Sequence, residues 1–204
     1  MENIKITELL KLDLPFVLAS KSPRRNLLLK QLGLDFQIIP SQVKETKFHN
    51  EELIPEEYVT LLAEKKAIYV ARVLEYPAII FGADTIVVLE NEIINKPKSK
   101  EAAFEMLNNL SGKTHYVYTG MSFLNTLKKK KVSTFQKTAV TFRKLDEDEI
   151  CAYIGTGSPF DKAGGYGIQD DFGSVFVSHI DGCYYNIVGL PLELFYRTLR
   201  EFLR

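Results

Sequence analysis

The sequence predicts an α/β fold with a mixed sheet, and three observations carry that prediction. Segments of helical and strand-like pattern alternate from Phe16 to the C-terminus, as in layered α/β domains. Two hairpin signals interrupt the alternation, one at Glu90-Asn91 and one at Lys128-Lys129-Lys130-Lys131, which argues against a purely parallel sheet. The stretch Ala78 to Val88 is almost continuously apolar, as expected of a central strand covered on both faces.

That stretch contains an acid, Asp84, preceded by Gly82-Ala83 and followed by Thr85. A carboxylate inside an apolar strand is costly unless a partner, a proton or a metal compensates it. Gly82 and Ala83 leave room for something to approach the backbone. Asp84 is therefore the first candidate for chemistry. The plainer alternative is that the strand ends at Ala83 and Asp84 caps a turn.

The bulk properties narrow the class. A chain of 204 residues suits one domain, 1–204, or one core divided into two lobes, with 1–14 as a short lead-in. Twenty-six basic residues balance twenty-six acidic ones, so no overall field attracts nucleic acid or an acidic membrane. No apolar run approaches the roughly 20 residues that span a bilayer, and the N-terminus lacks the pattern of a signal peptide. Cys151 and Cys183 are isolated and read as reduced core residues, while His49, His115 and His179 are too scattered for a zinc site. The expected location is the cytoplasm.

In order, Phe16-Val17-Leu18-Ala19 reads as a strand. Ser22 as N-cap, Pro23 as first residue and Gly33 past the end mark a helix. Arg24 and Arg25 then fall in its first turn, where cations oppose the helix dipole. Hydroxyls, free backbone N–H groups and two guanidiniums at one strand-to-helix corner suit phosphates; two solvated arginines are the alternative. Phe36 to Pro40 reads as a strand, 41–55 as a polar loop, and Pro55 to Leu74 as a helix. Its apolar face takes Tyr58, Leu61, Leu62, Ala63, Ile68, Tyr69 and Val73, with Lys65 or Lys66 at the edge.

Ser99 caps a helix to Leu110, and long strands follow over about 115–125 and 132–143. The lysines between them read as a solvated turn that discourages edge pairing. Asp146 to Glu149 is a capping box. The stretch 155–169 has five glycines and reads as a constrained loop, with Asp161 and Lys162 as charged candidates for substrate binding beside Ser22. Phe172 to Ile180 and Tyr184 to Val188 read as strands, and a closing helix carries Leu194, Phe195, Leu199 and Phe202.

Cations, carboxylates and a glycine loop together suggest a polyphosphate and a divalent metal, with no P-loop and no nucleophile elbow. Five motifs carry a resemblance: Ser20-Lys21-Ser22-Pro23-Arg24-Arg25, Gly82-Ala83-Asp84-Thr85, Asn95-Lys96-Pro97, Asp161 through Gln169, and Val188-Gly189-Leu190-Pro191. In this order, over about Phe16 to Arg200, they resemble the motif set of the Maf family of nucleoside triphosphate pyrophosphatases. The resemblance implies a Maf/inosine-triphosphatase-like α/β fold, with a long twisted mixed β-sheet between two lobes and a central cleft. It also implies hydrolysis of a nucleoside triphosphate to monophosphate and pyrophosphate with a divalent cation, Mg²⁺ or Mn²⁺.

By the same resemblance, Asp84 matches the general base and a metal ligand. Arg24, Arg25, Lys66 and Lys96 match phosphate-side cations, with Lys65 the rival of Lys66. Glu45 matches an acid that helps hold the metal. Arg24, Thr85 and Gln169 match positions that separate the subgroups, and here they resemble the branch acting on dTTP and UTP. The expected mechanism is attack on the α-phosphorus by water held between Asp84 and the metal. A homodimer is common in the family and nothing in the chain excludes it. The alternatives are a branch acting on 7-methyl-GTP or another purine triphosphate, and a non-catalytic nucleotide binder linked to septum formation.

Overall fold

The computed structural model describes residues 6–43, 53–169 and 172–204. The apolar run forms strand β3 (Ile79–Leu89), in which every residue but Thr85 is buried. Asp84 lies inside the strand and not at its end, so it does not cap a turn. Helix α1 (Ile6–Leu10) precedes β1 (Phe16–Leu18), and its Leu10 is buried. Next come α2 (Pro23–Gln31), β2 (Gln37–Ile38) and α3 (Pro55–Val73). After β3 follow β4 (Glu92–Ile94), α4 (Lys100–Leu110), β5 (Thr114–Asn125), β6 (Lys130–Phe142) and α5 (Glu147–Gly155). The chain ends with β7 (Val177–Asp181), α6 (Tyr184–Val188) and α7 (Leu192–Leu203).

The fold is mixed α/β with one seven-stranded sheet ordered β2-β1-β3-β5-β6-β7, and β4 pairs with β3 off that path. Strand β1 is parallel to both β2 and β3, whereas β4 and β7 pair antiparallel with β3 and β6. The β3–β4 turn places Glu90 and Asn91 at φ 52° and 69°, the pair of left-handed residues whose twist matches an antiparallel hairpin.

Two compact units divide the chain. The first comprises Met1–Asp84, Gly120–Phe135 and Leu192–Arg204; the second comprises Thr85–Thr119 and Gln136–Pro191. In the first, the rings of Phe16, Phe81, Phe123 and Phe195 form one cluster, with Phe81 4.8 Å from Phe123 and 4.9 Å from Phe195 between centroids. Alternation along the paired strands sends Val17 and Ile80 the other way, against Ala67 and Val70 of α3. In the second unit, α4 and α5 bury Leu107, Leu110, Ile150 and Tyr153 against Val117, Val140 and Phe142. The capping box of α5 is present, with Asp146 and Glu149 bonded reciprocally. Glu149 is also held by Arg143, whose guanidinium lowers its carboxyl to about 2.

Five local expectations change. The buried face of α3 takes Tyr58, Val59, Leu62, Ala63, Lys66, Ala67 and Val70, while Leu61, Ile68 and Tyr69 are half-buried and Val73 is exposed. Tyr184–Val188 is helical and not a strand, because Asn186 bonds sideways into the sheet and Gly189, at φ 120°, ends the turn. Phe172–Phe176 forms a 3₁₀ turn before β7. Cys151 is exposed and Cys183 half-buried, so neither is a core residue. The lysine turn is also shorter than expected. Lys130 donates to the Phe202 carbonyl at 2.7 Å and Lys131 pairs with Glu64 at 2.8 Å, so these two lysines anchor β6.

His115 is fully buried, with Nε2 2.7 Å from the Tyr166 hydroxyl and no partner for Nδ1 among the described residues. Burial lowers its pKa to about 4. The unfolded chain therefore takes up this proton more readily than the folded one. Its contribution, on the order of 3 kcal/mol, is fully present above the unfolded value of about 6.5. It is lost as pH falls through the folded value. His115→Gln, which keeps a hydrogen-bonding group and does not titrate, is expected to flatten the drop in urea midpoint between pH 6.5 and 4.

Candidate active site

Asp84 and Lys66 form a buried ion pair, with the Lys66 ammonium bonded to Asp84 Oδ1. The residues are 6% and 9% exposed. Lys65 is exposed, so of the two neighbouring lysines it is Lys66 that meets the acid. Neither charge would be stable in this position alone, and each compensates the other's desolvation.

Glycine sets the meeting. A Cβ on Gly82 would lie 2.2 Å from the Ala63 carbonyl oxygen and 2.9 Å from the Ala67 amide nitrogen. A Cβ on Gly120 would lie 2.3 Å from the Val59 carbonyl oxygen. Backbone-to-backbone contact at two points seats α3 directly on β3 and β5. Asp84 follows Gly82 by two residues and so points to the same face, while Lys66 lies between the two α3 residues that touch Gly82. Glu64, two residues before Lys66, is fastened by Lys131 at 2.8 Å and by the Ser133 hydroxyl at 2.8 Å. The space beside Gly82 is thus filled by the protein's own helix.

The second grouping in this unit is the corner between β1 and α2. Ser22 caps the helix, its hydroxyl accepting from the Arg25 amide at 3.3 Å. Arg25 is buried, and its Nη1 donates to Ser20 Oγ at 3.2 Å, which also accepts from the Ser22 amide at 3.2 Å. Arg25 is therefore not a solvated surface residue; Arg24, beside it, is half-buried. Leu18 pairs with Phe81 in parallel register, which brings the end of β1 to the level of β3 just before Asp84. Ligands of open α/β sheets bind beyond the carboxyl ends of parallel strands.

In the second unit, Lys162 is buried and donates to the Ser158 carbonyl at 2.8 Å, Ser158 Oγ at 3.0 Å and Asp161 at 2.7 Å. Asp161, Lys96 and Gln169 are exposed. Gly164 and Gly165 adopt φ 72° and 69° and turn the loop over Val87, Met106 and Pro97. Thr85 is half-buried, its hydroxyl 2.9 Å from that of Thr119. Glu45 lies outside the described residues. Among those residues no three His, Cys, Asp or Glu side chains gather to hold a metal ion, and no helix is long and apolar enough to cross a membrane.

Sequence reasoning missed Ser20, whose signal was its place in the same short motif as Ser22. It also missed Ser158, four residues before the Lys162 it meets, and Thr119 and Asn186, whose roles arise from contacts distant in the chain and leave no local pattern.

The chain is thus an α/β protein with a buried lysine–carboxylate pair on β3 and a serine- and arginine-lined corner at the end of the neighbouring strand β1. The family model described as Maf-like protein matches residues 15–202. The dTTP/UTP pyrophosphatase of Thermoanaerobacter sp. (strain X514) is 49% identical over 187 residues, 91% of this chain and 96% of that protein. The dTTP/UTP pyrophosphatase of Bacillus anthracis (strain CDC 684 / NRRL 3495) is 48% identical over 186 residues, 91% of this chain and 94% of that one. Among solved structures, the Staphylococcus aureus Ham1 protein is similar at 17% identity and a TM-score of 0.39, over 63% of this chain and 71% of that one. The chain belongs to the Maf family.

The glycine contacts give opposite expectations for two alanine substitutions. Gly82→Ala drives a methyl into the α3 backbone and should lower stability by about 1–3 kcal/mol in urea unfolding. Gly155→Ala, at a position where a Cβ meets nothing within 4 Å, should be neutral or stabilising by up to about 1 kcal/mol.

Proposed function

We propose that this chain hydrolyses dTTP and UTP to the monophosphate and pyrophosphate, with Asp84 as the general base. The observation that carries this reading is the buried Lys66–Asp84 pair, reinforced by relatives at 48% and 49% identity named for that activity. Asp84 takes a proton from water as the water oxygen bonds to the α-phosphorus. The bond from the α-phosphorus to the bridging oxygen breaks, and its electron pair leaves with pyrophosphate. Once Asp84 has taken that proton, the Lys66 ammonium bonded to it is no longer balanced by a carboxylate. That unbalanced charge appears as the leaving group gains negative charge, so the pair couples proton removal to electrostatic stabilisation.

Ser22, Arg24 and Arg25 offer a hydroxyl and cations to the phosphates, with Lys96, Asp161 and Lys162 as further substrate-binding residues. Arg24, Thr85 and Gln169 discriminate the base. Asp84 is a hard oxygen donor and, with Glu45, fits a Mg²⁺ or Mn²⁺ ion bound mainly through substrate phosphates, as is usual for Mg²⁺ with one or two carboxylates. Such an ion, when bound, neutralises phosphate charge. A homodimer acting in the cytoplasm completes the reading, and the two free cysteines suit a reducing compartment.

Pyrophosphate release tests it. Asp84→Asn should fold and turn over dTTP at least about 100-fold more slowly; near wild-type turnover in a folded variant would remove Asp84 from the chemistry. Across a panel of triphosphates, dTTP and UTP should lead. Equal rates on GTP or 7-methyl-GTP would place the chain in another branch of the family.

A further inference from the structure

A buried set of hydroxyl and amide groups links Thr85 to helix α6. Thr119, Asn186 and Thr138 are all buried, so their polar hydrogens need partners inside the protein. Asn186 Nδ2 donates to the Val117 carbonyl at 2.9 Å and to Thr138 Oγ1 at 2.9 Å. A carbonyl only accepts, so it is the amide nitrogen of Asn186 that faces it, and both its hydrogens are in use. Thr138 Oγ1 also accepts from the Cys183 amide at 3.1 Å and gives its own hydrogen to the Cys183 carbonyl at 3.3 Å. A Cβ on Gly182 would lie 2.9 Å from that same hydroxyl, so the approach to α6 is as closely seated as its first turn. Helix α6 is thereby fixed against β5 and β6.

The fixed helix presents the Asn186 carbonyl to Thr119, whose hydroxyl donates to it at 3.2 Å. A threonine hydroxyl carries one hydrogen. Thr119 can therefore only accept at its other contact, and across the 2.9 Å to Thr85 Oγ1 it is Thr85 that donates. Whatever else meets the Thr85 oxygen has to bring its own hydrogen.

We infer that Thr119 and Asn186 are specificity-positioning residues: they fix Thr85 as a hydrogen-bond acceptor towards the substrate base. This rests on the dTTP/UTP reading. On a uracil or thymine ring both carbonyls accept, and the sole N–H donor is at N3, so N3–H is the group Thr85 selects. Cytosine presents an unprotonated N3, a second acceptor facing an acceptor, and buried polar atoms left unmatched are what make such rejection effective. The preference for UTP over CTP thus begins at a backbone carbonyl on α6 and reaches the base through two hydroxyls.

The test is the ratio of kcat/KM for UTP to that for CTP. Thr119→Val keeps the shape, removes the acceptor and frees the Thr85 hydrogen to meet cytosine N3. The ratio should fall about tenfold, with CTP turnover rising in absolute terms. Thr119→Ser restores the hydroxyl and should restore the ratio; Thr119→Ala makes the same cut as valine with less bulk and is measured beside it. A general loss of packing would lower both substrates in proportion, so the rise on CTP separates positioning from structural support. An unchanged ratio in folded Thr119→Val and Thr119→Ala, in a wild-type protein that does prefer UTP, overturns this inference alone. A wild-type protein that releases pyrophosphate from neither nucleotide overturns the pyrophosphatase reading, and the inference with it.

Discussion

The ion pair between Lys66 and Asp84 is the constraint on which the rest of the arrangement depends. Two opposite charges removed from water gain little net stability, because desolvation offsets most of their attraction. The fold nevertheless places them together with care. Helix α3 is drawn onto β3 and β5 at two glycines, Gly82 and Gly120, so closely that no side chain could intervene. Glu64 fastens the same helix from its flank through Lys131 and Ser133. Burial pulls the Glu64 carboxyl upward, but those two hydrogen bonds and the charges of Lys131 and Lys65 together outweigh it, so its pKa is lowered from the ordinary carboxylate value. The register of α3 against β3 is therefore set by contacts that have no chemistry of their own.

Much of this was legible in the residues. Asp84 stands out because an apolar strand has no structural use for an acid. Ser22, Pro23 and Gly33 mark α2, which occupies Pro23–Gln31 with Ser22 as its bonded cap and Gly33 at φ 69°. Asp146 and Glu149 form the expected capping box, and Glu90-Asn91 the expected turn. These features are local: each follows from one residue's backbone preference or one side chain's reach along the chain. Seven residues placed on one face of α3 were a harder matter. Tyr58, Leu62 and Ala63 are buried as the pattern suggests, but Val59, Ala67 and Val70 complete the face in place of Leu61, Ile68, Tyr69 and Val73. The close approach at Gly82 and Gly120 selects the small and β-branched residues that fit against a sheet at that distance. A hydrophobicity pattern carries no information about that distance.

The remaining differences share this cause. Tyr-Tyr-Asn-Ile-Val has the composition of a strand, yet Tyr184–Val188 is helical because the side chain of Asn186 reaches Val117 and Thr138, residues 69 and 48 positions away. Gly82 reads from sequence as room for something to approach the backbone, and what approaches is helix α3. Arg25 reads as a phosphate-side cation, with a solvated arginine as the alternative, and its bond to Ser20 excludes the solvated one. For Asn186 and Gly82 the deciding partner lies well along the chain, beyond what spacing or periodicity reports, whereas Ser20 is only five residues from Arg25.

If the Lys66–Asp84 pair serves reaction chemistry and not stability, apolar residues of similar size should replace it without harm to the fold. The decisive measurement combines urea unfolding and dTTP turnover for the double variant Lys66→Met/Asp84→Val, beside each single substitution. The expected result is a midpoint at or above that of the wild type, turnover reduced at least about 100-fold, and both single variants less stable than the double because each takes the opposite charge from a buried one. A double variant that still turns over dTTP at close to the wild-type rate, or one less stable than both single variants, would contradict it.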